Sequence, residues 1–357
     1  MLIRSSNDSP ALIGGAAFPG HRVSPVRRRI VVVGLGSIGR RHARLLAARP
    51  DVVVEICDPA AEALAKARAE LGDVPVHADF AAVLRSQPHA VVIATPHDLH
   101  AKQATAAMQA GADVLCEKPL CMTGDEARTM IAWTRQTGRT LAVGFQLHFH
   151  PGLLRVRELI QAGLIGQVAH LHVRVGSFIT LRNSASRYQH ALPGALLLDY
   201  AHQPDLIIWL LGELPAGVTL TGLQAGGMPL TSEPNVMALT LDYDRPLLAT
   251  VHLNYLQMPQ RHEWEIVGDK GWLLLDADRG TLRIGLRESE TERVETVTAD
   301  RDEAYRREHQ AFMDCLDGHR EPESAGPAAA RSVELFAMAM TSLAEGRRVA
   351  CQWRGFE

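Results

Sequence analysis

Residues 29–42 read RIVVVGLGSIGRRH, and this stretch decides the fold. Ile30 to Val33 is a short β-branched run that suits a strand buried on both faces. Gly34, Gly36 and Gly39 follow at GxGxxG spacing, and Ser37 to Ala48 then reads as a helix. In a strand–loop–helix context the three glycines have separate tasks: Gly34 allows the tight turn, Gly36 lets backbone approach a pyrophosphate, and Gly39 lets helix pack on strand. The amides of Ser37 and Ile38 at the helix start face the phosphates, aided by the helix dipole. Asp58 ends the next strand at the roughly 20-residue offset of a ribose-binding acid. A carboxylate there accepts both ribose hydroxyls and repels a 2′-phosphate, which favours NAD over NADP. Arg40 and Arg41 read equally well as phosphate contacts and as solvated helix positions.

Working outward, strand-like runs at Ile30–Val33, Val52–Ile56, Ala90–Ala94, Val114–Cys116 and Thr140–Val143 alternate with helical stretches. The helices are expected at Ser37–Ala48, Pro59–Leu71, Asp98–Ala110 and Thr123–Thr137. Such alternation implies right-handed crossovers and a doubly wound parallel sheet. After Pro151 the pattern changes. A helix (Gly152–Ala162), a strand (Val168–Gly176) and a polar loop from Thr180 to Leu192 lead into Gly194–Leu211, apolar enough for one buried helix. Strands then dominate: Val236–Tyr243 and Leu247–Tyr255 alternate cleanly about an Asp244-Arg245 turn, and Glu263–Val267 and Trp272–Leu275 flank Gly268-Asp269-Lys270-Gly271. An antiparallel meander with one face against helices is expected, closed by helices at Arg301–Leu316 and Ala328–Glu345. The fold class is therefore α/β, with an N-terminal doubly wound parallel sheet and a C-terminal α/β domain whose open sheet is mostly antiparallel. The expected divisions are a flexible extension over 1–28, a dinucleotide-binding domain over 29–146 and a substrate and oligomerisation domain over 147–357.

With 357 residues the chain suits two domains, and a formal charge of -3 argues against a nucleic-acid partner. Five scattered cysteines without a CxxC pair read as reduced thiols of a cytoplasmic protein. No apolar run has the length of a membrane span. The weak apolar patch Ala11–Phe18 precedes, rather than follows, the basic cluster Arg27-Arg28-Arg29, which is the reverse of a signal peptide.

Two further segments carry chemistry. Thr95-Pro96 with His100, and Glu117-Lys118-Pro119, follow the fourth and fifth strands, at the carboxyl ends where doubly wound sheets bind ligands. Lys118 can stabilise negative charge on a substrate oxygen as hydride leaves carbon; taken alone, it would read as a surface cation. In Leu196–Asp205, polar residues interrupt an apolar run and are costly unless paired. If Asp199 and His202 share a helix, their spacing puts them on one face. The imidazole can then take a hydroxyl proton, with the carboxylate orienting it and stabilising its protonated form. A buried, satisfied histidine is the plainer alternative. Pro204 complicates one continuous helix, and a helix starting near His202 would move Asp199 onto its leading turn. The pairs His97/His100 and His148/His150 lack a nearby third ligand, so no metal is expected.

From residue 29 to the end the chain resembles the Gfo/Idh/MocA oxidoreductases. The resemblance is carried by GLGSIGRRH (34–42), TPHDLH (95–100), EKP (117–119), GFQLHFHP (144–151), HQPDLIIWLLGE (202–213) and EHQAFMDCLDG (308–318). It implies a Rossmann domain for NAD(P), with an active site between that domain and the open-sheet domain. Lys118 and His202 are then catalytic with Asp199 in support, and the cofactor lies against Gly34, Gly36, Ser37, Ile38, Gly39, Asp58, Thr95, Pro96, His100, Glu117 and Lys118. A homodimer or homotetramer built through the open sheet is also implied. The chain departs from the family in its D-x-x-H spacing, which resembles a subgroup acting on sugar and sialic-acid-like substrates. It departs again at His148, where an arginine is common, and at Gln203 and Pro204.

The leading expectation is an NAD-dependent dehydrogenase of a sugar, polyol or sugar derivative. An NAD-dependent glycosidase using transient oxidation and a cofactor-binding regulator without turnover are the alternatives. The loop from Thr180 to Leu192, with Arg182, Arg187, Tyr188 and His190, reads either as a substrate cover or as a connector.

Overall fold

Short β-branched runs pair as parallel strands through the first part of the chain. The computed structural model describes residues 27–183, 192, 194–226, 234–298, 300, 302–318 and 322–355. The expected extension thus lies outside the described residues up to 26, and Arg28 already belongs to the first strand. In order, the first half comprises β1 (Arg28–Val33), α1 (Ser37–Ala47), β2 (Val52–Cys57), α2 (Ala61–Leu71), β3 (Val76–His77), α3 (Phe80–Arg85), β4 (Ala90–Ile93), α4 (His100–Gln109), β5 (Asp113–Glu117), α5 (Gly124–Thr137) and β6 (Leu141–Gly144). Their order in the sheet is β3-β2-β1-β4-β5-β6, and every pairing is parallel. The chain reverses direction across the sheet between β1 and β4, which opens a crevice at their carboxyl ends. β3 and α3 are missing from the sequence reading because two and six residues are too few to show a period. α5 starts on a Thr123/Glu126 capping box and stops at Gly138 in the left-handed region, as its sequence dictates.

The second half comprises α6 (Pro151–Gln161), β7 (Val168–Gly176), α7 (Phe178–Asn183), α8 (Ala195–Asp199), α9 (His202–Leu211), β8 (Gly217–Leu223), β9 (Val236–Asp242), β10 (Leu248–Asn254), β11 (Arg261–Gly268), β12 (Gly271–Asp276), β13 (Thr281–Leu286), β14 (Thr291–Thr296), α10 (Glu303–Leu316), α11 (Gly326–Glu345) and β15 (Val349–Ala350). The second sheet runs β14-β13-β12-β11-β7-β10-β9-β8-β15. It corrects the expected meander: β7 sits between β11 and β10, antiparallel to the first and parallel to the second. A parallel neighbour needs a long crossover, and here that connection carries α7, α8, α9, β8 and β9. Alternation still sorts the faces. Met237, Leu239, Leu241, Ala249, Val251 and Leu253 are buried against the helices, while Thr240, Thr250 and His252 lie on the half-open side.

The expected single helix over Gly194–Leu211 is two, α8 and α9, interrupted at Tyr200 and Ala201. Pro204 is the third residue of α9, inside the first turn, where its missing N–H has no helical partner to lose. Asp199 therefore closes one helix instead of leading the next. The Thr180–Leu192 loop begins inside α7, and Arg187, Tyr188 and His190 lie outside the described residues.

The two closing helices complete the first sheet as well as the second. Phe312 and Met313 of α10 pack with Ile30, Val32 and Leu46 on one face of the parallel sheet. Ala329, Ala330 and Val333 of α11 pack with Val91, Ile93 and Met130 on the other. Farther along α11, Leu335 and Ala339 join the core under the second sheet.

Candidate active site

The glycine loop fits a dinucleotide on its own geometry. Gly34 has φ +88°, and a Cβ there would meet the Ala94 carbonyl oxygen at 2.6 Å. A Cβ on Gly39 would lie 1.7 Å from the Gly34 carbonyl oxygen, so α1 approaches β1 as closely as glycine permits. Gly36 is the opposite case: it is exposed, and a Cβ there would meet nothing within 4 Å. That open backbone, ahead of the first turn of α1, is room for a pyrophosphate. Asp58 is held at the loop's edge, accepting from Leu35 N at 2.7 Å and from Ala60 N at 2.8 Å. Arg40 and Arg41 are both engaged with protein, in ion pairs with Glu70 and Asp302 at 2.9 and 3.1 Å.

At the ends of β4 and β5 the packing is tighter. His100 is fully buried, its ring nitrogens 2.8 Å from the Pro119 carbonyl oxygen and 3.0 Å from that of Thr95. It fastens the two loops to each other. Thr95 donates to Gln103 at 2.7 Å, and Pro96 is exposed at the crevice rim. Glu117 is buried, hydrogen-bonded to His42 at 2.9 Å, and also accepts the Lys118 N–H. The Lys118–Pro119 peptide is cis.

Lys118 spans the gap between the sheets, because its Nζ donates to the carbonyl oxygens of Asp199 at 2.9 Å and Leu198 at 3.4 Å. The break between α8 and α9 brings both carbonyls to the lysine, and that of Leu198 also accepts from Ala201 N at 3.3 Å. Lys118 and Asp199, 81 positions apart in sequence, therefore meet. The Asp199 carboxylate accepts from the Tyr255 hydroxyl at the end of β10. His202 starts α9 and packs edge-on against Phe145, with ring centroids 5.5 Å apart. Burial, then the charges of Lys118, His148 and His262, push its pKa well below the ordinary imidazole value. This corrects the expectation of a carboxylate stabilising protonated His202: what surrounds it favours the neutral ring.

His97 lies in the same surroundings, pushed down to about 4 by burial, His100 and Lys118, against the pull of Asp199 and Glu117. His262 of β11, also about 4, sits 3.2 Å from the Gln203 side-chain nitrogen. His148 stacks on Trp209 and pairs with Asp205 at 2.6 Å, and Asp205 accepts from Ser332 as well. It is an internal strut rather than an anion contact. Tyr255 and His262 escaped the sequence reading because they stand in no motif; His42 and His309 stood inside quoted motifs, but their link to Glu117 crosses distant segments and no local spacing shows it. Among the described residues no group of three or more ligating side chains is placed to hold a metal. No described helix is long and apolar enough to cross a membrane.

Residues 28–145 match the oxidoreductase family with an NAD-binding Rossmann fold, and residues 153–274 match the GFO/IDH/MocA C-terminal domain. The chain belongs to the Gfo/Idh/MocA oxidoreductase family. As a Gfo/Idh/MocA member it is an oxidoreductase, and its first domain is the family's nucleotide-binding unit. It is 28% identical over 261 residues to the 2,7-anhydro-N-acetylneuraminate hydratase of Escherichia coli, covering 71% of this chain and 69% of that one. Inositol 2-dehydrogenase 2 of Saccharopolyspora erythraea is 30% identical over 230 residues, covering 63% and 66% of the two chains. Among solved structures, the WlbA dehydrogenase of Bordetella pertussis, in complex with NADH and UDP-GlcNAcA, shares the fold with a TM-score of 0.78. It is 22% identical, over 92% of this chain and 99% of that one.

Proposed function

We propose that this oxidoreductase oxidises or reduces a carbinol or carbonyl carbon of a sugar, polyol or sugar derivative, with NAD preferred over NADP. The observation that carries the reading is the meeting of Lys118 with the α8–α9 break, where a neutral His202 starts α9. Bound nicotinamide supplies the hydride acceptor or donor. Lys118 stabilises negative charge on the substrate oxygen, and His202, held neutral, accepts the hydroxyl proton. Asp199 holds the lysine through its carbonyl and is itself held by Tyr255. The cofactor is bound by Gly34, Gly36, Ser37, Ile38, Gly39 and Asp58 at the loop, and by Thr95, Pro96, Glu117 and Lys118 at the strand ends. The protein works in the cytoplasm, as a homodimer or homotetramer joined through the open sheet face.

A second reading is favoured by the relative named as a hydratase, because adding water to a substrate is redox-neutral. In that reading transient oxidation labilises a neighbouring C–H bond, so that water is added or a glycosidic group eliminated. One experiment separates the two: purified protein with NAD is offered polyols, aldoses, amino sugars, sugar acids and anhydro sugars, with both NADH absorbance and substrate loss followed. Stoichiometric NADH supports the dehydrogenase. Substrate loss without NADH supports the second reading, and bound cofactor without turnover leaves a regulator.

A further inference from the structure

A buried chain of three side chains joins both ends of the sequence. His42 of α1 bonds Glu117 at the end of β5 through Nε2 (2.9 Å) and His309 of α10 through Nδ1 (2.7 Å). The two imidazoles are 0% and 1% exposed. Burial, then His42 and Arg49, push the His309 pKa far down, so His309 is neutral and carries one ring proton. Its Nδ1 is buried with no hydrogen-bond partner among the described residues. Placing the proton on Nε2 leaves only a bare acceptor unpaired, whereas placing it on Nδ1 would strand a donor; the first is cheaper. His309 therefore donates to His42, and His42 donates to Glu117.

Glu117 thus accepts from His42 at one oxygen and from the Lys118 N–H, at 3.2 Å, at the other. Burial raises its pKa, but the His42 hydrogen bond, the Lys118 charge and the Lys118 N–H outweigh it, so it stays ionised. Glu308, beside His309, is the counter-case. Burial and the charge of Glu117 raise it far above the carboxylate range, and both its oxygens lack partners among the described residues. One of the two carboxyls is an anion and the other an acid, as expected when two share a low-dielectric site. The anion lies at the carboxyl end of β5, where the crevice of a doubly wound sheet takes its ligand.

We propose that His309 and His42 are positioning residues that hold Glu117 as a buried anion at the reacting end of the cofactor site, where it favours the oxidised, cationic nicotinamide over the reduced, neutral one. The proposal rests on the NAD-binding reading above and adds a redox preference to it. Arg41 stays outside the chain: it lies over the Tyr305 ring, whose edge meets His42.

The test compares the affinities of the wild type, Glu117→Gln and His309→Leu for NAD⁺, NADH and ADP-ribose by calorimetry, with a melting curve for each protein. ADP-ribose reports the glycine loop without the nicotinamide. Glu117→Gln is expected to weaken NAD⁺ relative to NADH by on the order of tenfold with ADP-ribose unchanged. His309→Leu should move the ratio the same way by less, and decides alone if Glu117→Gln does not fold. A merely structural role would move both affinities together; that outcome, or an unchanged ratio, overturns the proposal. A wild type that binds none of the three overturns instead the dinucleotide reading beneath it.

Discussion

Lys118 Nζ donates to the Asp199 carbonyl oxygen over 2.9 Å and so ties the end of β5 in the first sheet to the helix break that faces the second. The lysine is both the bridge between the sheets and the proposed stabiliser of substrate charge. Lys118→Ala should lower kcat by roughly 10²-fold or more, the scale of losing one preorganised donor. NAD⁺ affinity should stay within about threefold, since the glycine loop is untouched. Unchanged kcat on a substrate found in the panel would remove Lys118 from the chemistry.

The glycines separate stability from binding. Gly39→Ala places a methyl group 1.7 Å from a backbone oxygen, so about 3 kcal/mol or more of stability should be lost in a denaturant titration. Gly36→Ala meets nothing in the protein, and stability should stay within about 1 kcal/mol. Its NAD⁺ affinity should nonetheless fall by roughly tenfold, because the methyl group fills the space meant for phosphate. Equal affinities for the parent and Gly36→Ala would place the cofactor elsewhere.

Asp58 is held by two backbone amides, which fixes its carboxylate toward the glycine loop. Asp58→Ser removes a charge that would repel a 2′-phosphate. The NAD⁺ to NADP⁺ affinity ratio should fall by about tenfold or more, as a lost repulsion of roughly 1.4 kcal/mol implies. A parent that already prefers NADP⁺ would contradict this reading.

The rings of His97, His202, His262 and His309 all have pKa values below the ordinary 6.5, with burial the first cause at each. In the unfolded chain they take up protons near that pH, while in the folded protein they resist. Stability is therefore intact above pH 6.5 and is lost as pH falls below it toward the folded values. Melting temperatures measured between pH 8 and pH 5 should decline only on the acid side; a profile flat to pH 5 would show that these rings are not held neutral.

Asp205 accepts from both His148 and Ser332 inside the core. Asp205→Ala strands two buried polar groups and should cost about 3 kcal/mol in a denaturant titration. Cofactor affinity should not change, since none of the three residues faces the glycine loop.

Local signals carried much of this protein in its sequence. The run Ile30–Val33 and the glycines at 34, 36 and 39 were legible locally: a β-branched strand, a turn with a positive φ and a helix packed closely on that strand are all written between residues 30 and 39. Alternation likewise sorted the faces of β9 and β10 before any neighbour was known. Only the tertiary structure decided what lies between distant segments. The 2.0-residue period says which face a strand buries but not beside which strand it lies, so the parallel pairing of β7 with β10 was invisible. The same limit holds for electrostatics. Spacing put Asp199 near His202, but only the fold, by surrounding that ring with apolar groups and the charges of Lys118, His148 and His262, made it a neutral histidine. Burial and long-range charge are properties of the packed molecule, and no local window of sequence contains them.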